Sequence, residues 1–293
     1  MSRSELVLMQ HDLIACMALD LGKRLRFINM AITQSLCSKL VLVWLLLSMF
    51  LAPANASEQT IEPVTKQDCV ILLHGLARTS ASMNELQKAL LEAGYTVAKI
   101  DYPSRKYPIE TLAPLALKKG LEECHSHAPG NIHVVTHSMG GILFRHYVNE
   151  FGAAAFARTI MLAPPNNGSE AVDALFDVPG FQWLNGPAGR QLGTDELSVP
   201  LKLGDATSDI AIIAGTFSIN LVLSTYLPDP DDGKVSVQST RLNGMCAHLQ
   251  VEVSHPYIMK DEEVIAEILS YLESGRFADS NAEHFDCPHK FSG

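Results

Sequence analysis

The 293-residue chain has no Lys/Arg-rich run, and its 22 basic residues are outnumbered by 32 acidic ones, a formal charge of −10. That balance repels polyanions, so no nucleic-acid partner is expected. It has no C-x-x-C pair, which removes the usual ligand spacing of zinc and thioredoxin-like sites. It has no internal repeat, which excludes solenoids and propellers. Its strongly apolar run, Leu40 to Ala52 (LVLVWLLLSMFLA), is thirteen residues long. As a helix this covers roughly 20 Å at ~1.5 Å per residue, against a hydrocarbon core about 30 Å thick.

What is present around that run has a different logic. Lys39 precedes it and Ala54-Asn55-Ala56 follows it. A positive flank, a short apolar core and an A-x-A site describe a secretory signal peptide over residues 1–56. An uncut signal anchor, which would hold the protein to a membrane, is the alternative. Met30, ten residues before the apolar core, is a second candidate start; residues 1–29 would then have no role. The expected location is outside the cytoplasm, periplasmic or secreted, with no stable membrane span after cleavage. Residues 1–56 hold five basic and three acidic residues, so the remainder carries 17 against 29, a formal −12. It keeps Cys69, Cys124, Cys246 and Cys287, which allow three full pairings in an oxidising compartment. Cys246 with Cys287 is the preferred pair, because it would tie down the tail. Cys69 opens an apolar strand and also reads as a buried free thiol.

A 47 % hydrophobic chain of this length supports one α/β domain, or at most two. After a lead-in over 57–69, strand and helix patterns alternate. Strands are expected at Val70–Leu73, Tyr95–Ile100, Asn131–Thr136, Thr159–Leu162, Ile210–Gly215 and Leu249–Val253. Helices are expected at Ser82–Ala93, Ile109–Cys124 with a bend at Pro114, Met139–Phe151 and Asp261–Glu273. Continuous apolar strands alternating with helices predict a mainly parallel sheet covered on both faces. The alternation fails between 164 and 204, a segment rich in Gly, Pro and Asn that still holds Leu175, Phe176, Phe181, Trp183 and Leu184. It is expected to be a cap over a cleft, the alternative being a loop packed on the sheet edge. Residues 70–277 form the expected catalytic domain and 278–293 a tail.

Ligands of open parallel sheets bind beyond the carboxyl ends of the strands. The residues there are His74-Gly75-Leu76, His137-Ser138-Met139, Ala163-Pro164-Pro165, the acidic turn Asp229–Gly233, and Ser254-His255. They include a serine, a histidine and several aspartates, the set required for acyl transfer. A serine hydroxyl is a weak nucleophile until a histidine takes its proton, and an acid must fix the tautomer of that imidazole. His255 follows the strand Leu249–Val253 and precedes the last helix, which makes it the candidate base; His137 and His146 lie beside or within the helix after Ser138, His248 falls before the last expected strand, and His284 and His289 lie in the tail.

The stretch Thr136-x-Ser138-x-Gly140 resembles the G-x-S-x-G nucleophile elbow of the α/β-hydrolase superfamily, with Thr in place of the first Gly. Leu72-Leu73-His74-Gly75-Leu76 resembles its H-G motif, and Asp232-Gly233-Lys234-Val235 resembles the D-G-x-V stretch that carries the acid in bacterial lipases. Leu162-Ala163-Pro164-Pro165-Asn166-Asn167-Gly168-Ser169 resembles the L-A-P-P-x-x-G-S stretch of small secreted lipases and esterases, and implies that this loop flanks the acyl pocket. The likeness covers roughly 70–277. It implies an α/β-hydrolase fold and a Ser138, Asp232, His255 triad in the superfamily's chain order, with Asp231 the runner-up acid. It implies an oxyanion hole from the backbone N–H groups of Leu76 and Met139, no metal and no cofactor. The expected substrate is a small-molecule or lipid carboxylic ester, its acyl chain along Phe176, Phe181 and Trp183. Thioesterase, amidase or acyltransferase activity on the same triad is the alternative; a silent binding module on this fold is a further one.

The leader reading yields a direct test. N-terminal sequencing of protein from a fractionated bacterial host is expected to begin at Ser57, in the exported fraction. An intact N-terminus in the soluble cytoplasmic fraction would contradict it, and one in the membrane fraction would support the anchor.

Overall fold

The computed structural model describes residues 68–196, 198–287 and 289–291. The expected signal segment and most of the lead-in lie outside the described residues. Seven strands form one sheet: β1 (Cys69–Leu73), β2 (Thr96–Ile100), β3 (Ile132–His137), β4 (Arg158–Leu162), β5 (Asp209–Gly215), β6 (Ala247–Val251) and β7 (Glu283–His284). Their order is β2-β1-β3-β4-β5-β6-β7. The first six pair in parallel and β7 closes the edge antiparallel. This is the mainly parallel sheet expected from the alternation, of the α/β-hydrolase type that the resemblance implied, with a reversed last strand that the polar tail did not announce.

The strands are apolar on both faces because helices cover both. On one face Ile71, Leu73 and Val134 pack with Leu112, Ala116 and Leu117 of α2 (Ile109–His125) and with Ile142 and Leu143 of α3 (Met139–Phe151). On the other, Val70, Leu72 and Val135 pack with Leu86 and Leu90 of α1 (Asn84–Glu92) and with Val264, Ile268 and Leu272 of the closing helix, Glu262–Ser274. That closing helix starts where Asp261 accepts the amides of Glu263 and Val264, and stops at Gly275 in the left-handed region. At about 25 cal/mol per Å² of apolar surface, these two layers are the main source of stability. Among the described residues no helix is long and apolar enough to cross a membrane.

Between β4 and β5 the chain is more regular than its composition suggested. It forms α4 (Glu170–Leu175), α5 (Phe181–Arg190) and a 3₁₀ turn at Pro200–Lys202. Gly186 breaks the helical dihedrals inside α5, which is why no helical period was visible there. Two short helices, α6 (Leu221–Ser224) and α7 (Val237–Thr240), flank the acidic turn, and the closing helix is therefore α8. Disulfides join Cys69 to Cys124 and Cys246 to Cys287. The second is the preferred pair. The first corrects the free-thiol alternative for Cys69: the end of α2 brings Cys124 over the start of β1.

β6 begins two residues earlier than its apolar pattern indicated, so His248 lies within the strand and not before it. Its Nε2 bonds Thr240 Oγ1 at 3.0 Å, and Thr240 in turn donates to Val237 O. The imidazole is therefore the Nε2–H tautomer, with Nδ1 buried and without a hydrogen-bond partner. Burial, and then Arg241, push its pKa down to about 4, although Glu283 pulls the other way. A group held neutral in the fold and protonated in the unfolded chain favours unfolding as pH falls. Stability from His248 is complete above about 6.5 and is lost as pH falls from there toward 4. Urea unfolding at pH 7 and pH 4.5 is expected to show a loss in the wild type that exceeds the loss in His248→Gln by about 2–3 kcal/mol. Equal losses would exclude a neutral buried imidazole.

Candidate active site

Ser138 stands between β3 and α3 with φ 54° and ψ −124°, a left-handed conformation that serine adopts only under constraint. Its amide donates to Leu162 O at the end of β4, and Gly141 N returns to Ser138 O. The turn is tight enough that a Cβ at Gly140 would stand 2.8 Å from Leu73 O and 3.0 Å from His74 O. That is why the residue two after Ser138 is glycine. Thr136, in the other small-residue position, fits with its side chain buried in β3.

The acidic turn brings Asp232, and the loop after β6 brings His255, to the same place. His255 Nε2 lies 3.1 Å from Ser138 Oγ, and His255 Nδ1 lies 2.7 Å from Asp232 Oδ2. The other oxygen of Asp232 accepts the amides of Lys234 at 3.0 Å and Val235 at 2.9 Å, and the His255 amide donates to Asp232 O. The neighbouring acid is engaged elsewhere. Asp231 Oδ1 accepts Ser224 Oγ and Gly233 N, holding the turn between α6 and α7. Asp232, and not the runner-up Asp231, therefore bonds the histidine.

Leu76 lines the pocket in front of Ser138, and Met139 is the first residue of α3, where helix amides lack intrahelical partners. The pocket is open to solvent, and its enclosed part holds about 90 Å³. Pro165 and Ser169 line it, as the L-A-P-P-x-x-G-S likeness implied, together with Val172, Leu175, Phe181 and Leu192 from the segment after β4. Of the three aromatics expected along the acyl chain, Phe181 is among the lining residues. Trp183 is 87 % exposed, and Phe176 lies against Arg190, 5.5 Å from its guanidinium, so neither is placed on that wall. Hydrophobicity within a loop could not say which face each ring takes.

Three positioning residues were not legible as such. His137 is buried directly beneath the serine, and its Nε2 is 3.1 Å from His255 O, where only an N–H can bond. Burial first, then the nearby His255, push its pKa well below the usual imidazole range, so it stays neutral. Gly215 ends β5 so close to the site that a Cβ there would stand 2.3 Å from Val253 O and 2.9 Å from the Asp232 side chain. Arg145, on the buried face of α3, donates to Asn166 O, Asn166 Oδ1, Pro200 O and Gly204 O. It thereby fastens both ends of the 164–204 segment. Burial lowers its pKa to about 10, which leaves it charged at neutral pH. An arginine following the apolar run Met139-Gly140-Gly141-Ile142-Leu143-Phe144 was the available signal. His74, by contrast, is structural: its ring stacks on Tyr102, with centroids 4.0 Å apart, and Tyr102 Oη–H donates to His74 O.

A family profile described as "Alpha/beta hydrolase family" matches residues 70–255. The chain belongs to the α/β-hydrolase family. Within that family's fold it superposes on the mature form of the Bacillus licheniformis lipase BlEst2 with a TM-score of 0.56 at 18 % identity, covering 71 % of this chain and 91 % of that one. The propeptide form of that lipase gives 0.56 at 19 % identity, covering 74 % of this chain and 52 % of that one. An esterase of Pyrococcus furiosus gives 0.54 at 16 % identity, with 72 % and 83 % covered. At these identities the likeness is one of fold. No curated protein sequence matches the chain.

Arg145→Met would leave several buried carbonyls without a donor. It is expected to lower stability by roughly 2–4 kcal/mol and to open the 164–204 segment of this α/β-hydrolase to limited proteolysis before the rest of the chain. Cleavage that does not favour this segment would show that the arginine does not fasten it.

Proposed function

We propose that this α/β-hydrolase cleaves carboxylic esters through an acyl-enzyme on Ser138. The observation that carries the reading is the unbroken hydrogen-bonded series Ser138, His255, Asp232 at the floor of an open pocket. Ser138 Oγ attacks the ester carbonyl carbon while His255 Nε2 takes its proton. Leu76 and Met139 direct their backbone N–H groups at the oxyanion. Collapse breaks the bond to the alcohol, which leaves with the proton from His255. Water then attacks the acyl-enzyme, His255 takes its proton, and the acid departs as Ser138 is restored. Asp232 holds the Nδ1–H tautomer and stabilises the imidazolium. A thioester or amide meets the same groups, and an alcohol in place of water gives transfer.

The apolar wall from Val172 to Leu192 supports an acyl pocket and a cap role for the 164–204 segment. The two disulfides support an oxidising compartment, and with it an exported enzyme.

Ser138→Ala is expected to keep the fold and lose p-nitrophenyl ester hydrolysis by several orders of magnitude, about 10⁶ in kcat where a triad serine has been removed from a protease. His255→Ala should be nearly as damaging and Asp232→Asn somewhat less so, because the acid orients and does not transfer protons. A fluorophosphonate probe should label the wild type and not Ser138→Ala. Purified Ser138→Ala with more than a few per cent of wild-type rate would reject the reading.

A further inference from the structure

The pocket carries the opposite sign to the protein. The chain is formally −10. Its pocket lining nevertheless includes no Asp or Glu and two cations, Arg78 and Lys234. Arg78 follows the Gly75-Leu76 turn at the end of β1. Lys234 stands two residues after Asp232. The acid nearest Lys234 in the chain is already committed, with one oxygen on His255 and the other on two backbone amides. The two cations are close enough to repel each other, and both oppose protonation of His137 below them. Two like charges in one pocket whose lining holds no acidic side chain are relieved by a bound anion.

The pocket lining combines apolar and cationic side chains. Val172, Leu175, Phe181 and Leu192 make one wall apolar. Lys234 belongs to the loop that holds His255 in place. The alcohol of an ester must leave toward His255 Nε2, which protonates it; Lys234 is within electrostatic reach of Asp232, the partner of that histidine, and of Arg78.

We infer that the site prefers esters of an apolar acid with an alcohol that bears an anionic group, a carboxylate or a phosphate, drawn in and held by Arg78 and Lys234. This rests on the ester-hydrolase reading and narrows it. Exposed lysines and arginines are usually solvated and indifferent to small ligands. Here they line the reaction pocket of an acidic protein, and that setting gives them a steering role.

The test uses two matched pairs of esters, each rate normalised to its alkaline hydrolysis. The first pair places the charge on the alcohol: 4-(butanoyloxy)benzoate against its neutral methyl ester. The second places it on the acid: mono-(4-nitrophenyl) glutarate against 4-nitrophenyl pentanoate. The wild type is expected to favour the anionic member of the first pair by about tenfold or more in kcat/KM, with a preference that shrinks as salt is added. In Arg78→Gln/Lys234→Gln the ratio should fall toward one, and each single substitution should lower it in part. The single variants read the same ratio if the double variant does not fold. A wild-type ratio at or below one, a ratio unaltered by the substitutions, or a preference confined to the second pair would overturn the inference. Turnover of the neutral esters alone would do so while leaving the hydrolase reading intact. Failure to turn over any of the four would reject both.

Discussion

The backbone of Ser138 is the constraint on which the rest of the molecule depends. A serine at φ 54° costs of order 1–3 kcal/mol and persists only where its surroundings over-determine it. Here they do. The serine amide is bonded to the end of β4, α3 is pressed against β1 through Gly140, and His137 is sealed below. The result places Oγ at the top of the sheet, free of its own helix and within reach of His255.

The opposite half of the site is built on bonds between loops. Ser169 Oγ donates to Lys234 O, Asn166 Nδ2 to Thr240 O, and the Asn167 amide to Ser239 O. The loop after β4 and the acidic turn are thus one hydrogen-bonded body, and Arg145 joins that body to α3. Position of the acid and shape of the pocket are then coupled, since the same loop contributes Pro165 and Ser169 to the lining.

The sheet and its covering helices were legible because both faces of each strand are apolar and each helix has its own period. Ser138 and His255 were legible as candidates because each follows a strand, and Asp232 because Asp232-Gly233-Lys234-Val235 resembles the D-G-x-V stretch of bacterial lipases. The helices of the 164–204 segment were not, because Gly186 and Pro187 break their period. Nor was the orientation of Phe176 or Trp183, which depends on which face of a short helix meets the sheet. His137, Arg145 and Gly215 act through partners far away in the chain, at separations that no local pattern encodes.

The two disulfides both lie at the amino rim of the sheet, at the start of β1 and just before β6. Ser138, Asp232 and His255 all lie at the carboxyl rim. Covalent reinforcement and the hydrogen-bonded Ser138–His255–Asp232 series thus occupy opposite edges of one layer. The amino rim carries the covalent ties of the fold, and the carboxyl rim carries the pocket. Each edge can therefore change by mutation without the other having to follow.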